Sequence, residues 1–250
     1  MLFAHGIGPI RSNVLRKLTK YVCSKADLIT VRDTDSLVEL ERIGVDSEKV
    51  RLTADAVLTL AQADKEQGLK LLQGFNVSQD KKVVAISVRS WGSSNKYLQE
   101  LAKAADALAI QHDVQIVLLP LQYPADVAAC KKLQQFMEQD AIILDAAFDT
   151  EQFLALMGNF SLLIGMRLHA LIFAAVMEVP FIALSYDPKI DGFVKEINGT
   201  NIGAIEKFAA DDLILAAQKT LEFENTGNER LVQLRTKALE NSQLAFELLK

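Results

Sequence analysis

Residues 161–189, SLLIGMRLHALIFAAVMEVPFIALSYDPK, form the most informative stretch of the chain. An apolar run at 162–164 predicts a buried strand that turns at Gly165, and a helical pattern follows that turn. A second apolar run at 181–184 predicts a neighbouring strand, which leads into the tetrapeptide YDPK at 186–189. This strand–helix–strand order is typical of a parallel sheet with helices packed on its faces.

Three polar side chains, Arg167, His169 and Lys189, follow the ends of these two predicted strands. Open α/β sheets bind ligands at the carboxyl ends of their strands, so we expect the three side chains to share one site. Fixed or titratable cations beside the free N–H groups of a helix N-terminus suit a small, highly charged anion. The pattern therefore predicts a site for a phosphate together with a carboxylate.

The segment GMRLHALIFAAVMEVPFIALSYDPK at 165–189 closely resembles the polysaccharide pyruvyl transferase family, in particular its CsaB-type bacterial cell-wall members. Two earlier segments fit the same family, HGIGPI at 5–10 and VRDTDS at 31–36 with Asp55 after it. A third, AISVRSW at 85–91, matches the opening of the family's C-terminal domain. The resemblance covers nearly the whole chain, and its most specific part is 165–189.

The resemblance implies a GT-B-like α/β fold, in which two Rossmann-like α/β/α units face a cleft. We expect a partial N-terminal unit at 1–62 and, at 63–250, a C-terminal unit that carries the donor-site motif and the closing helices. The polar stretch 60–80 is the expected boundary region. Family members have a further N-terminal segment before the GIGP motif, so we expect this N-terminal unit to be incomplete. An exposed strand and apolar face would then invite self-association.

Strict alternation of strands and helices begins at Lys81 and predicts a parallel sheet in the second unit. The expected strands lie at 83–88, 114–119, 141–144, 162–164 and 181–184. The tail from Asp211 to Lys250 predicts two helices that are joined near 225–227.

The composition is that of an ordinary globular protein: half of the 250 residues are hydrophobic and a quarter are charged. A net charge of −5 gives no electrostatic footprint for nucleic acid. Cys23 and Cys130 lie far apart without a CxxC pair, which predicts reduced cysteines. With no signal-peptide pattern and no apolar run near the ~20 residues of a membrane span, we expect a cytoplasmic protein. No metal-ligand spacing is present, so we expect neither a metal nor a cofactor.

The family transfers the enolpyruvyl unit of phosphoenolpyruvate to a sugar as a cyclic ketal, so the resemblance implies a transferase with this donor. A proton is added to C3, which places positive charge on C2; a sugar hydroxyl attacks C2, phosphate leaves and a second hydroxyl closes the ring. The implied acceptor is a hexosamine-containing, lipid-linked precursor of a secondary cell-wall polymer, met at the cytoplasmic membrane face. Such a site must hold two anionic groups, supply an acid and remove a hydroxyl proton.

The resemblance assigns the strongest candidates to the 165–189 segment. His169 contacts the donor, either as the catalytic proton donor or as a phosphate ligand. Arg167, with Leu168 beside it, and Lys189 bind the anionic groups. The competing interpretations are a capping or packing role for His169, a salt bridge for Arg167 and a solvated surface position for Lys189. Tyr186 is a further binding candidate, and Asp187 either acts as the hydroxyl base or only holds Lys189 in place.

Candidates outside that segment come from other strand ends. The family completes its donor site with an arginine of the N-terminal unit, which corresponds to Arg11 or Arg32. We favour Arg32 as a catalytic residue because it ends a strand; the competing account pairs it with Asp33 or Asp35 in a salt bridge. Asp55 is a candidate acceptor contact.

Arg89 and Ser90 lie at the first strand-to-helix turn of the second unit, where a phosphate-binding loop is expected. Trp91 either stacks on a sugar or packs in the core.

Two other functions remain open. A GT-B glycosyltransferase or epimerase would bind a nucleotide sugar, usually through a glycine-rich loop and a carboxylate near a helix start, whereas Arg-Leu-His at 167–169 favours a compact anion. Alternatively, the chain is a truncated, non-catalytic remnant that binds an anion without turnover. Competition by UDP distinguishes the first alternative.

Overall fold

The computed structural model describes residues 1–222 and 228–250. The described residues form two compact units. The first unit consists of Met1–Leu60, Lys195–Ile197 and Asn228–Lys250. The second consists of Ala61–Val194 and the stretch that begins at Asn198. The last helix thus packs with the N-terminal residues, whereas the predicted boundary between 62 and 63 assigns it to the C-terminal domain; that assignment stays a prediction. The predicted helix junction near 225–227 lies outside the described residues.

The first unit is built on a three-stranded parallel sheet with the order β1-β2-β3. In chain order its elements are β1 (Leu2–His5), α1 (Asn13–Ser24), β2 (Ile29–Val31), α2 (Thr34–Arg42), a 3₁₀ turn (Ser47–Lys49), β3 (Val50–Leu52) and a second 3₁₀ turn (Ala56–Thr59). The helix Glu229–Glu247 closes it and is named α10 below. Strand β2 is wholly buried at the centre of a small core.

The buried side chain of Asn241 connects helix α10 to the rest of this unit through hydrogen bonds. The amide of Asn241 donates to the carbonyl oxygens of Ala54 (3.0 Å) and Ala238 (2.9 Å), and its oxygen lies 2.8 Å from Thr53 Oγ1. Since a buried amide is costly unless its hydrogen bonds are made, these contacts fix the register of α10.

Helix α1 has an apolar face that is exposed within the described structure. Five of its apolar side chains are 47–74% exposed, namely Val14, Leu15, Leu18, Tyr21 and Val22, and Cys23 is its one buried residue. The helix and its flanks, residues 11–25, also carry five basic residues and no acidic one. The expectation of an incomplete first unit that self-associates stays a prediction.

The second unit contains a six-stranded parallel sheet with the order β6-β5-β4-β7-β8-β9. Its strands are β4 (Val83–Ser87), β5 (Gln115–Leu118), β6 (Ala141–Ile143), β7 (Leu162–Gly165), β8 (Phe181–Ser185) and β9 (Thr200–Ala204). Its helices are α3 (Lys65–Gly74), α4 (Lys96–His112), α5 (Val127–Gln134), α6 (Thr150–Met157), α7 (Leu168–Val176), α8 (Pro188–Glu196) and α9 (Ala210–Glu222). The five predicted strands are confirmed to within a residue or so at each end; β9 was missed.

Part of the predicted boundary region 60–80 is tightly packed structure. Helix α3 lies so close to α6 that a Cβ on Gly68 would be 1.9 Å from the carbonyl oxygen of Ala155. The amide of Asn159 joins the two helices by donating to Lys65 O (2.9 Å) and Ala155 O (2.8 Å). Helix α3 therefore packs within the second unit, which begins at Ala61.

Candidate active site

A small pocket lies in the second unit where the chain leaves β5, β7 and β8, at the carboxyl ends of these parallel strands. Eight residues line it: Leu121, Arg167, Leu168, His169, Tyr186, Asp187, Lys189 and Ile190. Its volume of about 170 Å³ is below the ~300–1,000 Å³ of pockets for drug-sized ligands. Six predicted site residues are therefore brought together in one place, and its size favours a compact ligand.

The beginning of α7 contributes a helix N-terminus to this pocket. Arg167 is the N-cap residue with an extended backbone, and its side chain makes no capping hydrogen bond to the helix. Leu168 and His169 form its first turn, and both line the pocket. The N-terminus of a helix bears partial positive charge and N–H groups that favour an anion.

Arg167 is held by a partner that the sequence interpretation missed. Its Nε donates to Asp126 Oδ2 (3.0 Å), and its Nη2 donates to Asp126 Oδ1 and to Gln122 Oε1 (3.1 Å). The side chain of Asp126 is 3% exposed and that of Arg167 15%. The salt bridge that was the alternative for Arg167 therefore exists, and the arginine still lines the pocket.

Lys189 supplies the second cation of the pocket. Within residues 1–222 and 228–250, no carboxylate lies within ion-pair distance of its ammonium group. Asp187 Oδ1 accepts the backbone N–H of Lys189 at 3.0 Å, so this carboxylate caps the start of α8. The structure thus shows Asp187 holding Lys189 through its backbone; whether it also acts as a base stays a prediction.

Tyr186 connects the pocket with the turn after β4. Arg89 Nη1 donates to the Tyr186 hydroxyl (3.0 Å), and the guanidinium carbon lies 5.3 Å from the ring centre. The Trp91 ring is 4.5 Å from the Tyr186 ring at an angle of 45°, and its indole N–H donates to Glu206 Oε1 (2.8 Å). Arg89 thus contacts the pocket through Tyr186, and Trp91 packs against that ring. Ser90 is exposed between them.

Two of the first unit's candidate residues form an ion pair. Arg32 Nη1 lies 2.6 Å from Asp55 Oδ2, and its Nε lies 3.6 Å from Asp33 Oδ2. The guanidinium also covers Gly6, where a Cβ would be 2.7 Å from Nε. Two predicted residues, Arg32 and Asp55, therefore meet as an ion pair, while Arg11 is exposed in the loop before α1. Their roles toward a donor or an acceptor stay predictions.

In the described part of the chain, no group of three or more His, Cys, Asp or Glu side chains is arranged to hold a metal ion. No described helix is long and apolar enough to cross a membrane.

A family model for polysaccharide pyruvyl transferases matches residues 1–188, which include the whole pocket except Lys189 and Ile190. The chain belongs to the polysaccharide pyruvyl transferase family. It is 24% identical over 233 residues to the amylovoran biosynthesis protein AmsJ of Erwinia amylovora, an alignment that covers 86% of this chain and 56% of AmsJ. The chain therefore spans little more than half the length of this relative.

Three solved structures share the fold at low sequence identity. The UDP-GlcNAc 2-epimerase of Neisseria meningitidis, bound to UDP-GlcNAc, has a TM-score of 0.67 at 14% identity (96% of this chain, 66% of that one). The UDP-GlcNAc 2-epimerase of Methanocaldococcus jannaschii gives 0.68 at 16% (98% and 69%). Anabaena Alr3699/HepE, in complex with UDP and glucose, gives 0.61 at 15% (96% and 67%). The GT-B-like α/β fold class is thereby confirmed.

Proposed function

We propose that this chain transfers pyruvate, as a ketal, from phosphoenolpyruvate to a hexosamine-containing, lipid-linked precursor of a cell-wall polysaccharide. The observation that carries the proposal is the pocket's set of groups: the fixed guanidinium of Arg167, the Lys189 ammonium, which has no carboxylate partner among the described residues, and the N-terminus of α7. Phosphoenolpyruvate presents a phosphate and a carboxylate on three carbons, and these groups match the remaining guanidinium donors of Arg167 and the point charge of Lys189 in a small space.

The chemical roles follow from the side chains available. We assign proton delivery at C3 to His169, because its imidazole can hold and release a proton near neutral pH. Lys189 and the N-terminus of α7 bind the phosphate as it leaves, since negative charge on it increases as the bond to C2 breaks. Arg32 completes the donor site in this proposal and Asp55 contacts the acceptor.

The first experiment is calorimetric titration of phosphoenolpyruvate into the chain, with UDP as the comparison ligand. We expect binding by the wild type and a loss of about 10- to 100-fold in His169→Ala and Lys189→Ala, the size expected for one charge-assisted hydrogen bond. Lys132→Ala is the matched control, since Lys132 is exposed on α5 of the same unit and is outside the pocket. Binding of UDP without binding of phosphoenolpyruvate would refute the proposal.

One observation favours a second candidate function. Two of the solved structures described above hold UDP or a UDP-sugar, so a nucleotide-sugar enzyme is the alternative. The titration with UDP decides between the two. A further assay measures phosphate release from phosphoenolpyruvate in the presence and absence of a lipid-linked hexosamine acceptor. Donor binding without acceptor-dependent release would identify an anion-binding form that lacks turnover.

Contact with the cytoplasmic membrane face is part of the proposal, because a lipid-linked acceptor is located there. The basic, amphipathic helix α1 supports it: apolar side chains can enter the interface, and each basic residue near an anionic surface contributes about 1 kcal/mol. We expect the chain to sediment with anionic vesicles, to be released by salt and to stay in solution with neutral ones. A Lys17→Glu/Lys20→Glu variant should lose this binding. Concentration-dependent dimers that persist in this variant, without vesicle binding, would instead indicate self-association through α1.

A further inference from the structure

The carboxylate of Asp126 is a buried group whose hydrogen bonds all serve one corner of the pocket. It comes just before α5, in the loop that follows β5, and it accepts from Arg167 Nε and Nη2 and from the backbone N–H of Gln122 (2.9 Å). Its side chain is 3% exposed. Arg167 follows β7, so Asp126 ties together two loops whose strands are separated by β4 in the sheet.

We propose that Asp126 is a positioning residue that fixes the guanidinium plane of Arg167 for donor binding. A guanidinium carries five N–H donors. Three of them, on Nε and Nη2, are used by Asp126 and Gln122, so within the described part of the chain the two on Nη1 remain for a ligand. Because Arg167 lines the pocket, these two N–H groups on one nitrogen have fixed directions and require no ordering when the anion binds.

The ion pair with Asp126 also gives Arg167 and Lys189, the two cations of the pocket, different roles in binding. Arg167 is largely neutralised by Asp126, so it contributes directional hydrogen bonds more than net charge. Lys189, which has no carboxylate partner in the described chain, contributes net attraction that salt screens. This inference rests on the proposed function, since it concerns how the same pocket selects phosphoenolpyruvate over other anions.

The test compares variants in which the Arg167 guanidinium loses a hydrogen-bond partner with a variant that weakens only a loop away from the pocket. Asp126→Asn keeps the size of the side chain and removes its charge and one acceptor. We expect its dissociation constant for phosphoenolpyruvate to rise about tenfold or more, because a misplaced binding group is costly even when the fold is intact. Asp106→Asn is the matched control: Asp106 accepts the backbone N–H groups of Glu138 and Gln139 at 2.9 Å each, away from the pocket. It should lower Tm without changing affinity.

Three further measurements separate positioning from structural support. Asp126→Glu keeps the negative charge but places it on a longer side chain. If Asp126 acts by positioning Arg167, this variant should bind phosphoenolpyruvate as weakly as Asp126→Asn does. In an Arg167→Lys background, Asp126→Asn should cost no further affinity, because the two residues act as one unit. Gln122→Ala removes only the hydrogen bond from Arg167 Nη2 to Gln122 and should weaken phosphoenolpyruvate binding by a factor of about two or three. This variant replaces Asp126→Asn in the test if Asp126→Asn does not fold.

The outcomes are distinguishable. Wild-type affinity for phosphoenolpyruvate in folded Asp126→Asn, or equal losses in Asp126→Asn and Asp106→Asn, would overturn the positioning role and leave the proposed function intact. A wild-type chain that binds neither phosphoenolpyruvate nor inorganic phosphate would overturn the proposed function and this inference with it. Additive losses in the Arg167→Lys background would show that Asp126 acts independently of the arginine and would also overturn it.

Discussion

Substitution of Gly68 by alanine tests how closely α3 packs on α6. The added Cβ would lie 1.9 Å from Ala155 O and 2.5 Å from Asn159 Nδ2, whereas Cβ atoms essentially never come within 3.0 Å of a neighbour. Backbone cannot rotate away as a flexible side chain can, so α3 must shift by about 1 Å, and overpacking of this kind costs about 1–3 kcal/mol. The shift also strains the two hydrogen bonds of Asn159 that join the helices, each with a net contribution of about 1 kcal/mol.

The expected loss is about 3 kcal/mol, because the better helix propensity of alanine, about 1 kcal/mol, offsets part of the cost. For a chain of this size, that loss lowers Tm by about 6–12 °C. Thermal unfolding followed by circular dichroism at 222 nm measures it. Gly74→Ala is the control, since Gly74 ends the same helix and a Cβ there meets nothing within 4 Å. Equal Tm values for the two variants would refute the close approach of α3 and α6.

Three other perturbations have definite expected outcomes. Asn241→Ala should lower the free energy of unfolding by about 2–3 kcal/mol, measured by urea titration, because it leaves buried polar partners unpaired. Burial, together with the negative charge of Asp33, raises the pKa of Glu196. The stability that Glu196 contributes is therefore fully present below its unfolded pKa and is lost as pH rises through its folded pKa. Because glutamine does not titrate, Glu196→Gln should flatten that decline when Tm is measured across a pH series. Burial, and then nearby carboxylates, raise the pKa of Cys130 to about 12, and burial also raises that of Cys23; a thiol reagent at pH 7 should therefore modify neither cysteine before unfolding and both cysteines after it.

The sheet of the second unit could be predicted from the sequence because its central strands are continuous apolar runs. Strands β7 and β8 are buried on both faces, as expected for a parallel sheet covered by helices. Their residues at 162–164 and 181–184 are therefore continuously apolar, and such runs predict strands directly. Strand β9, TNIGA, was missed because it is an edge strand whose residues are partly or fully exposed, so selection for apolar side chains is weak there.

The position of α10 could not be predicted for a different reason. Its buried residues Leu231, Leu234, Ala238 and Asn241 have helical spacing, which shows that one face packs but not against which partner. The partner is set by long-range contacts such as those from Asn241 to Thr53 and Ala54, almost two hundred positions away in the sequence. A helix at the end of the chain was therefore assigned to the domain nearest in sequence.

The pocket residues were predictable where they follow an apolar strand, and their partners were not. Arg167, His169 and Lys189 each come soon after the end of β7 or β8, so the rule for ligand sites in parallel sheets finds them. Asp126 comes eight positions after the end of β5, beyond a loop. Asking which polar residue follows every strand at this edge would have included it, but its pairing with Arg167 depends on the fold of that loop.

The shared fold and the pocket answer different questions about the substrate. A likeness at 14–16% identity to epimerases and other UDP-binding proteins defines how the sheets are built, and the same fold holds many chemistries. The substrate class depends on the groups at the strand ends. Here a guanidinium fixed by Asp126 and the Lys189 ammonium, which has no carboxylate partner in the described part of the chain, line a pocket of about 170 Å³. A nucleotide sugar needs room for a base, a ribose and a sugar, whereas N–H donors with fixed directions beside a point charge suit a ligand whose anionic groups are adjacent. If UDP bound in this pocket as tightly as phosphoenolpyruvate, the argument from pocket size and fixed donors would be wrong, whatever the family.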